Sequence, residues 1–333
     1  MKISVLITAY NIKDYIAECL DSVLMQKTAF DYEIIVGDDG SDDGTWELLN
    51  IYAAKHPGKI RLVRQPRDKD REYNRVSRSA ANRLAILKEA KGEYISFLDG
   101  DDYYISEDRL SRLAEALEDE ADSDCICAAS NLSLVWEDGH SMPLSRAKCE
   151  RKISLEEYWP LMFLQANAMM FRNIYKEDTP KGPLAAVFDD NNMTCWLLRH
   201  GKMYYIPDTL GAYRQVTGSS WNAIDLLKQS ASNMIGWSVE RYLMPDKHRL
   251  SAIRHVKDLK YLYDRRGTFT AADLEPFYTT ALENKLTFAL RIYSALEEEC
   301  EDSERIRKQL MAGGLEYAAA RAGRAAMKLT GKY

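Results

Sequence analysis

Long apolar runs are missing from this 333-residue chain. The longest uncharged stretch, Trp159 to Phe171, is broken by Pro160, Gln165 and Asn167. It is too short for the roughly 20 apolar residues a membrane helix needs. A secretory leader is not expected either: Lys2 is followed at once by a strand-like run, Ile3 to Ile7, with Asp14 and Glu18 soon after. The chain is therefore expected in the cytoplasm. Paired cysteines are missing too. Cys19, Cys125, Cys127, Cys149, Cys195 and Cys300 form no C-x-x-C, and Cys125 and Cys127, on one face of an apparent strand, lack two further zinc ligands. They read as structural thiols in a reducing compartment. There is no excess of positive charge: 45 Lys and Arg against 51 Asp and Glu give a net charge of -6. That is the wrong balance for a protein that binds nucleic acid by neutralising phosphates. Two nucleotide signatures are also absent. Without G-x-x-x-x-G-K-[ST] the P-loop class is excluded, and without G-x-G-x-x-G after a strand a dinucleotide site has no support.

What is present is an ordinary globular composition, 46% hydrophobic and 29% charged, at a length that predicts about two domains. The first hundred residues or so alternate strand and helix. Ile3 to Ala9 reads as a buried strand and Asn11 as a helix N-cap. Ile12, Tyr15, Ile16, Cys19, Leu20, Val23 and Leu24 then form one apolar helical stripe. Glu33 to Gly37, Ile60 to Arg64 and Tyr94 to Leu98 read as further strands, with helices over Thr45 to His56 and Ser77 to Ala90. Such alternation implies βαβ units and a mostly parallel sheet. Further on, a helix is expected from Asp108 to Glu118, and strands over Cys125 to Ala129, Leu132 to Trp136, Asn167 to Arg172 and Met203 to Ile206. Asp190 to His200 reads as a helix, and from about Ile224 the pattern is helical almost to the end.

Three polar clusters fall at expected strand ends: Thr8-Ala9-Tyr10-Asn11, Asp38-Asp39-Gly40-Ser41 and Asp99-Gly100-Asp101-Asp102. Parallel pairing brings such ends to one rim, where open α/β sheets bind ligands. Carboxylates gathered there repel one another, and a divalent cation relieves the repulsion. Oxygen-only ligands suit Mg²⁺ or Mn²⁺, which bridge one or two carboxylates to substrate phosphates. An Asp beside a nucleobase accepts from a ring N–H, and Tyr10 offers a flat face for stacking.

As an ordered set, Ser4 to Asn11, Glu33 to Thr45 and Lys91 to Asp102 resemble family 2 glycosyltransferases, which have the GT-A fold. A weaker resemblance continues to about Trp221, through Phe188-Asp189-Asp190, the run Ile206 to Arg214, and Ser219-Ser220. The resemblance implies a Rossmann-like nucleotide-binding half over 1–103, an acceptor-binding half over 104–222 and a C-terminal helical region over 223–333. It implies inverting transfer of a hexosyl or N-acetylhexosaminyl group from a nucleotide sugar, with UDP the expected nucleotide. The acceptor it implies is a glycan or lipid-linked hydroxyl in cell-surface polysaccharide synthesis. Thr8, Ala9, Tyr10, Asn11, Asp38, Asp39, Asp99 and Gly100 would line the nucleotide site. Asp101, helped by Asp99 or Asp102, would hold Mn²⁺ or Mg²⁺. Asp190 would be the general base, with Asp189 and Arg214 in support.

The chain also departs from the family pattern. Ala81 stands where relatives carry the Arg of an Ala-Arg-Asn motif, and Arg71, Arg75 and Arg78 just upstream are the substitutes expected to face the diphosphate. Val216 stands where relatives often carry His. The tail holds six acids within Glu297 to Glu304, then Arg321, Arg324, Lys328 and Lys332 on one helical face. That basic face is a candidate for peripheral membrane contact or a homodimer, although its mostly alanine reverse favours a solvated helix. The alternative class is a non-catalytic nucleotide-sugar-binding or signalling module. A receiver-like domain gathers acids at strand ends but lacks a second pair like Asp189-Asp190. A nucleotidyltransferase would carry a glycine-rich basic loop where Thr8 to Asn11 stand.

Overall fold

The computed structural model describes residues 1–67, 75–118, 124–216 and 225–297. The strand β1 (Ile3–Ala9) is almost wholly buried and leads into helix α1 (Lys13–Leu24). β2 (Tyr32–Asp38), α2 (Thr45–Lys55), β3 (Ile60–Arg64), α3 (Arg75–Glu89) and β4 (Tyr94–Asp99) continue the alternation. Near-continuous apolar strands are what a parallel sheet covered on both faces requires. β1 pairs in parallel with β2 and with β4, and β2 pairs in parallel with β3. The apolar stripe of α1 buries Ile16, Cys19, Leu20 and Val23 in one core with Ile3, Val5 and Ile7. Each large side chain so buried contributes about 1.5–3 kcal/mol.

The chain continues through β5 (Tyr103–Tyr104), α4 (Arg109–Glu118), β6 (Cys125–Trp136), β7 (Ser141–Pro143), β8 (Arg151–Ile153) and α5 (Leu155–Leu161). A 3-10 turn at Ala166–Ala168 precedes β9 (Met169–Arg172), followed by α6 (Pro183–Ala186), α7 (Asp190–Leu198) and β10 (Lys202–Gln215). The ten-stranded sheet has the order β3-β2-β1-β4-β9-β6-β10-β5, with β7 on β6 and β8 on β10. β9 is antiparallel to both β4 and β6, whereas β6 and β10 run parallel.

Two local expectations change. Cys125 to Ala129 and Leu132 to Trp136 are one strand, and the strand begun at Met203 runs on past Pro207 to Gln215. The β6–β10 register shifts between Ile206 and Gly211. A proline cannot donate to the ladder, so the pairing skips it and resumes. Asn11 is not an N-cap. It sits at φ +50°, and α1 starts after Ile12 without a side-chain cap. Its side chain instead makes a reciprocal pair with Asp42: Nδ2 donates to Oδ1 at 3.1 Å and Oδ1 accepts from the Asp42 N–H at 3.0 Å.

Contacts divide the chain into two compact units. One comprises Met1–Ser154, Leu164–Pro180 and Phe188–Val216; the other comprises Leu155–Phe163, Lys181–Val187 and Thr217–Tyr333. Within the second unit, α8 (Leu226–Leu243) and α9 (His248–Asp264) pack as a pair, with α10 (Ala271–Glu283) and α11 (Thr287–Glu297) against α8. Two polar contacts lie in its interior. Trp237 Nε1 donates to Ser251 Oγ at 3.0 Å, and His255 Nε2 lies 2.8 Å from Glu240 Oε1. Among the described residues, no helix is long and apolar enough to cross a membrane.

Candidate functional site

Strand register gathers the site. Ala9 lies opposite Asp38 across β1–β2, and Thr8 lies opposite Asp99 across β1–β4. Three neighbouring strands therefore end together, and their polar clusters share the rim beyond the carboxyl ends. The Asp39 N–H donates to the Ala9 carbonyl at 2.9 Å, and the Gly100 N–H donates to the Thr8 carbonyl at 2.8 Å. Gly100 has no alternative here: a Cβ would lie 2.8 Å from the Thr8 carbonyl oxygen and 2.4 Å from Ile12 Cδ1.

The two acids after β2 divide their work. Asp38 is fully buried, and its Oδ2 accepts the N–H groups of Gly40 and Ser41, both at 3.1 Å. The side chain shapes the turn from inside, and Arg64 Nε lies 3.4 Å from the same oxygen. Asp39 faces the rim. Arg67 Nη1 lies 3.1 Å from its Oδ2, and Arg78 donates to its Oδ1. Burial pushes the Asp39 carboxyl up, and the two guanidiniums oppose that push. Tyr10 is 42% exposed, with the Arg67 guanidinium 3.9 Å from its ring centroid.

The acids after β4 also separate. Asp99 accepts from Thr8 Oγ1 at 2.6 Å and from Arg83 Nη2 at 3.1 and 3.2 Å. Asp101 is pushed up to about 6 by burial and by the neighbouring Asp99 charge. Asp102 is buried and turned inward, where it accepts Asn167 Nδ2 at 2.6 Å and the Arg214 N–H at 2.8 Å. It ties the loop after β4 to β10, and burial raises its pKa strongly. Arg214 completes that tie, donating from Nε to the Asp101 carbonyl at 2.8 Å and from Nη2 to Glu18 at 2.7 Å. Among the described residues no group of three or more His, Cys, Asp or Glu side chains gathers as a metal site.

On the other side of the rim, Asp189 caps α7, accepting the Asn192 N–H at 2.8 Å. Asp190 is the first residue of that helix. Burial pushes its carboxyl up, the Arg83 guanidinium beside it pulls it down, and Asp99 pushes it up again. Arg83 Nη1 lies 2.9 Å from Asp190 Oδ1 while Nη2 holds Asp99. One buried guanidinium thus joins the acids at the end of β4 to the acid at the start of α7. The Tyr213 phenol is held protonated by burial and by the negative charges of Asp102, Asp190 and Asp99.

Arg83 and Arg67 were not anticipated as site residues. Arg83 stands two residues on from Ala81, and Asn82 and Arg83 are both buried on the side of α3 that packs on the sheet. Of the other expected cations, Arg78 reaches Asp39, whereas the Arg75 side chain and Arg71 lie outside the described residues, as do Ser219, Ser220 and Trp221. Nearly all of the Glu297–Glu304 run, and the basic residues from Arg321 to Lys332, lie outside them too.

The family model for glycosyl transferase family 2 matches residues 4–179. An uncharacterised protein of Mycobacterium tuberculosis is 28% identical over 229 residues, 66% of this chain and 60% of that protein. The poly(ribitol-phosphate) beta-glucosyltransferase of Bacillus spizizenii is 44% identical over 108 residues, 32% of this chain and 16% of the relative. The chain thus spans less than two thirds of these relatives' lengths. The structure of S. aureus TarS 1-349 in complex with UDP-GlcNAc superposes with a TM-score of 0.62 at 16% identity, covering 97% of this chain and 92% of that one. The mannosyltransferase PcManGT of Pyrobaculum calidifontis, in complex with GDP-Man and Mn²⁺, gives a TM-score of 0.50 at 14% identity, covering 95% of this chain and 87% of that one. The architecture shared with these structures is the GT-A fold.

Proposed function

The chain belongs to glycosyl transferase family 2, and on that premise we propose that it moves a sugar from a nucleotide diphosphate sugar to an acceptor hydroxyl with inversion at the anomeric carbon. UDP is the proposed nucleotide, a hexosyl or N-acetylhexosaminyl group the proposed cargo, and a glycan or lipid-linked hydroxyl of cell-surface polysaccharide the proposed acceptor. The observation that carries the reading is Arg83, whose single guanidinium contacts Asp99 at the donor side and Asp190 at the acceptor side.

Tyr10 stacks the base and Asp39 accepts its ring N–H, while the end of β4 faces the diphosphate. Asp101 with Asp99 suits Mn²⁺ or Mg²⁺: the donors are all oxygen, and the Asp101 carboxyl is buried against a like charge. One or two carboxylates plus substrate phosphates is the usual environment of Mg²⁺, so no larger protein cluster is required. When bound, such an ion offsets the charge that develops on the leaving diphosphate.

Asp190 takes the proton of the attacking hydroxyl. Its raised pKa makes it a better base than an ordinary surface carboxylate, and general bases of this kind contribute about 10²–10⁴ in rate. Asp189 sets the start of α7 and so aims Asp190. Asp190→Asn is expected to abolish transfer while UDP binding, read by calorimetry, stays near wild type. Retained turnover would remove the base assignment. A thermal-shift screen of nucleotide sugars with Mn²⁺ identifies the donor.

A further inference from the structure

We infer that Arg67 stands in for the nucleobase in the donor-free protein and must be displaced when the donor binds, so that it sets donor affinity as an internal competitor. The inference rests on the reading of Tyr10 and Asp39 as the base-binding pair. A guanidinium is planar, stacks on aromatic faces and presents N–H groups at its edge. A pyrimidine with a ring N–H has the same two properties. Arg67 uses both: its Cζ lies 3.9 Å from the Tyr10 ring centroid, and its Nη1 lies 3.1 Å from Asp39 Oδ2 and 3.3 Å from the Asp39 carbonyl oxygen. A base stacked on that Tyr10 face and bonded to that carboxylate oxygen occupies the same place.

The backbone holds Arg67 there. Gly40 sits at φ +76°, and a Cβ on it would lie 2.6 Å from Arg67 Cβ, so glycine lets the segment after β3 lie against the Asp38–Ser41 turn. The Gln65 N–H donates to the Asp38 carbonyl at 2.8 Å, and Arg64 Nη2 donates to the Ser41 carbonyl at 3.1 Å. The contacts of the guanidinium itself are of a kind that yields. The Arg67 side chain keeps 21% of its exposure, so it reaches solvent from where it stands, and a cation–π contact is individually weak. Arg78 remains on the other Asp39 oxygen, so the carboxylate keeps a counterion after Arg67 leaves.

Uridine tests this directly, because it carries the base without the phosphate charge. Binding of uridine and of UDP is measured for the wild type, Arg67→Ala and Arg67→Lys by calorimetry, with melting curves as the folding control. Arg67→Ala is expected to tighten uridine about tenfold, the gain from removing a stacked, ion-paired competitor from the Tyr10 face and the Asp39 carboxylate. Arg67→Lys, which keeps the charge but loses the planar face, is expected to fall between the two. If Arg67→Ala melts as a misfolded protein, the gain in Arg67→Lys alone decides. Uridine binding that is unchanged or weaker in the folded variants overturns the inference and makes Arg67 a direct reader of the base or a bystander. A wild type that binds neither ligand overturns the donor reading itself, and that result is in hand before any variant is compared.

Discussion

Burial beside Asp99 lifts the Asp101 carboxyl from 3.8 to about 6. A folded-state pKa above the unfolded one means that the native state binds the proton more tightly. Stability from this group is therefore fully present below pH 4 or so and is lost as pH rises through about 6. Asp101→Asn removes the buried charge, so it is expected to raise stability at pH 7.5 by about 1–3 kcal/mol and to leave it unchanged near pH 4. Urea unfolding at the two pH values measures the difference, and equal effects at both would count against the burial argument. Arg83 behaves in the opposite sense. Arg83→Gln leaves Asp99 and Asp190 without their shared cation, a loss of about 3–5 kcal/mol for a broken buried pair. The acidic limb of the pH–rate profile is expected to move to higher pH, because Asp190 loses the charge that lowers its pKa. Residue type alone could suggest Asp39, Asp101 and Asp190 as rim acids. It could not separate them from Asp38 and Asp102, whose carboxylates face inward toward backbone N–H groups that only the folded turn supplies.

The elements that carry the rim were the most legible part of the chain. β1, β2 and β4 are short apolar runs that end in polar clusters, and their period and length leave little choice of state. Longer strands were harder to read. Pro207 lies inside β10, and a proline in a strand pattern is ordinarily a boundary. The strand survives because the ladder to β6 shifts register across that segment. Docking of α3 depends on one polar contact that periodicity does not reveal: Asn82 Nδ2 donates to the Gly37 carbonyl at 2.8 Å, deep between helix and sheet. That bond sets the height of Arg78 and Arg83 above the strand ends. Asn82→Ala is expected to cost about 0.5–1.5 kcal/mol in urea unfolding, the net worth of one hydrogen bond, because the Gly37 carbonyl keeps its place in the β1–β2 ladder. It is also expected to weaken UDP binding, which a purely local loss would leave alone.

At the scale of the whole chain, the units are not simple stretches of sequence. Residues 155–163 and 181–187 belong with the helical unit, although both fall within the range expected for the acceptor half. Sequence order hid this, because each insertion is too short to carry a pattern of its own. UDP with Mn²⁺ at a hundred times its Kd is expected to add about 2.7 kcal/mol of stability, read as a rise in Tm over UDP with chelator. No difference between the two would speak against a metal-assisted donor site. The bridge made by Arg83 has a consequence for affinity. A charge arriving at Asp99 alters the pull of the same guanidinium on Asp190, and such coupling is reciprocal by linkage. On the proposed reading the two substrates do not bind independently: each changes the other's affinity by the same factor, through one side chain.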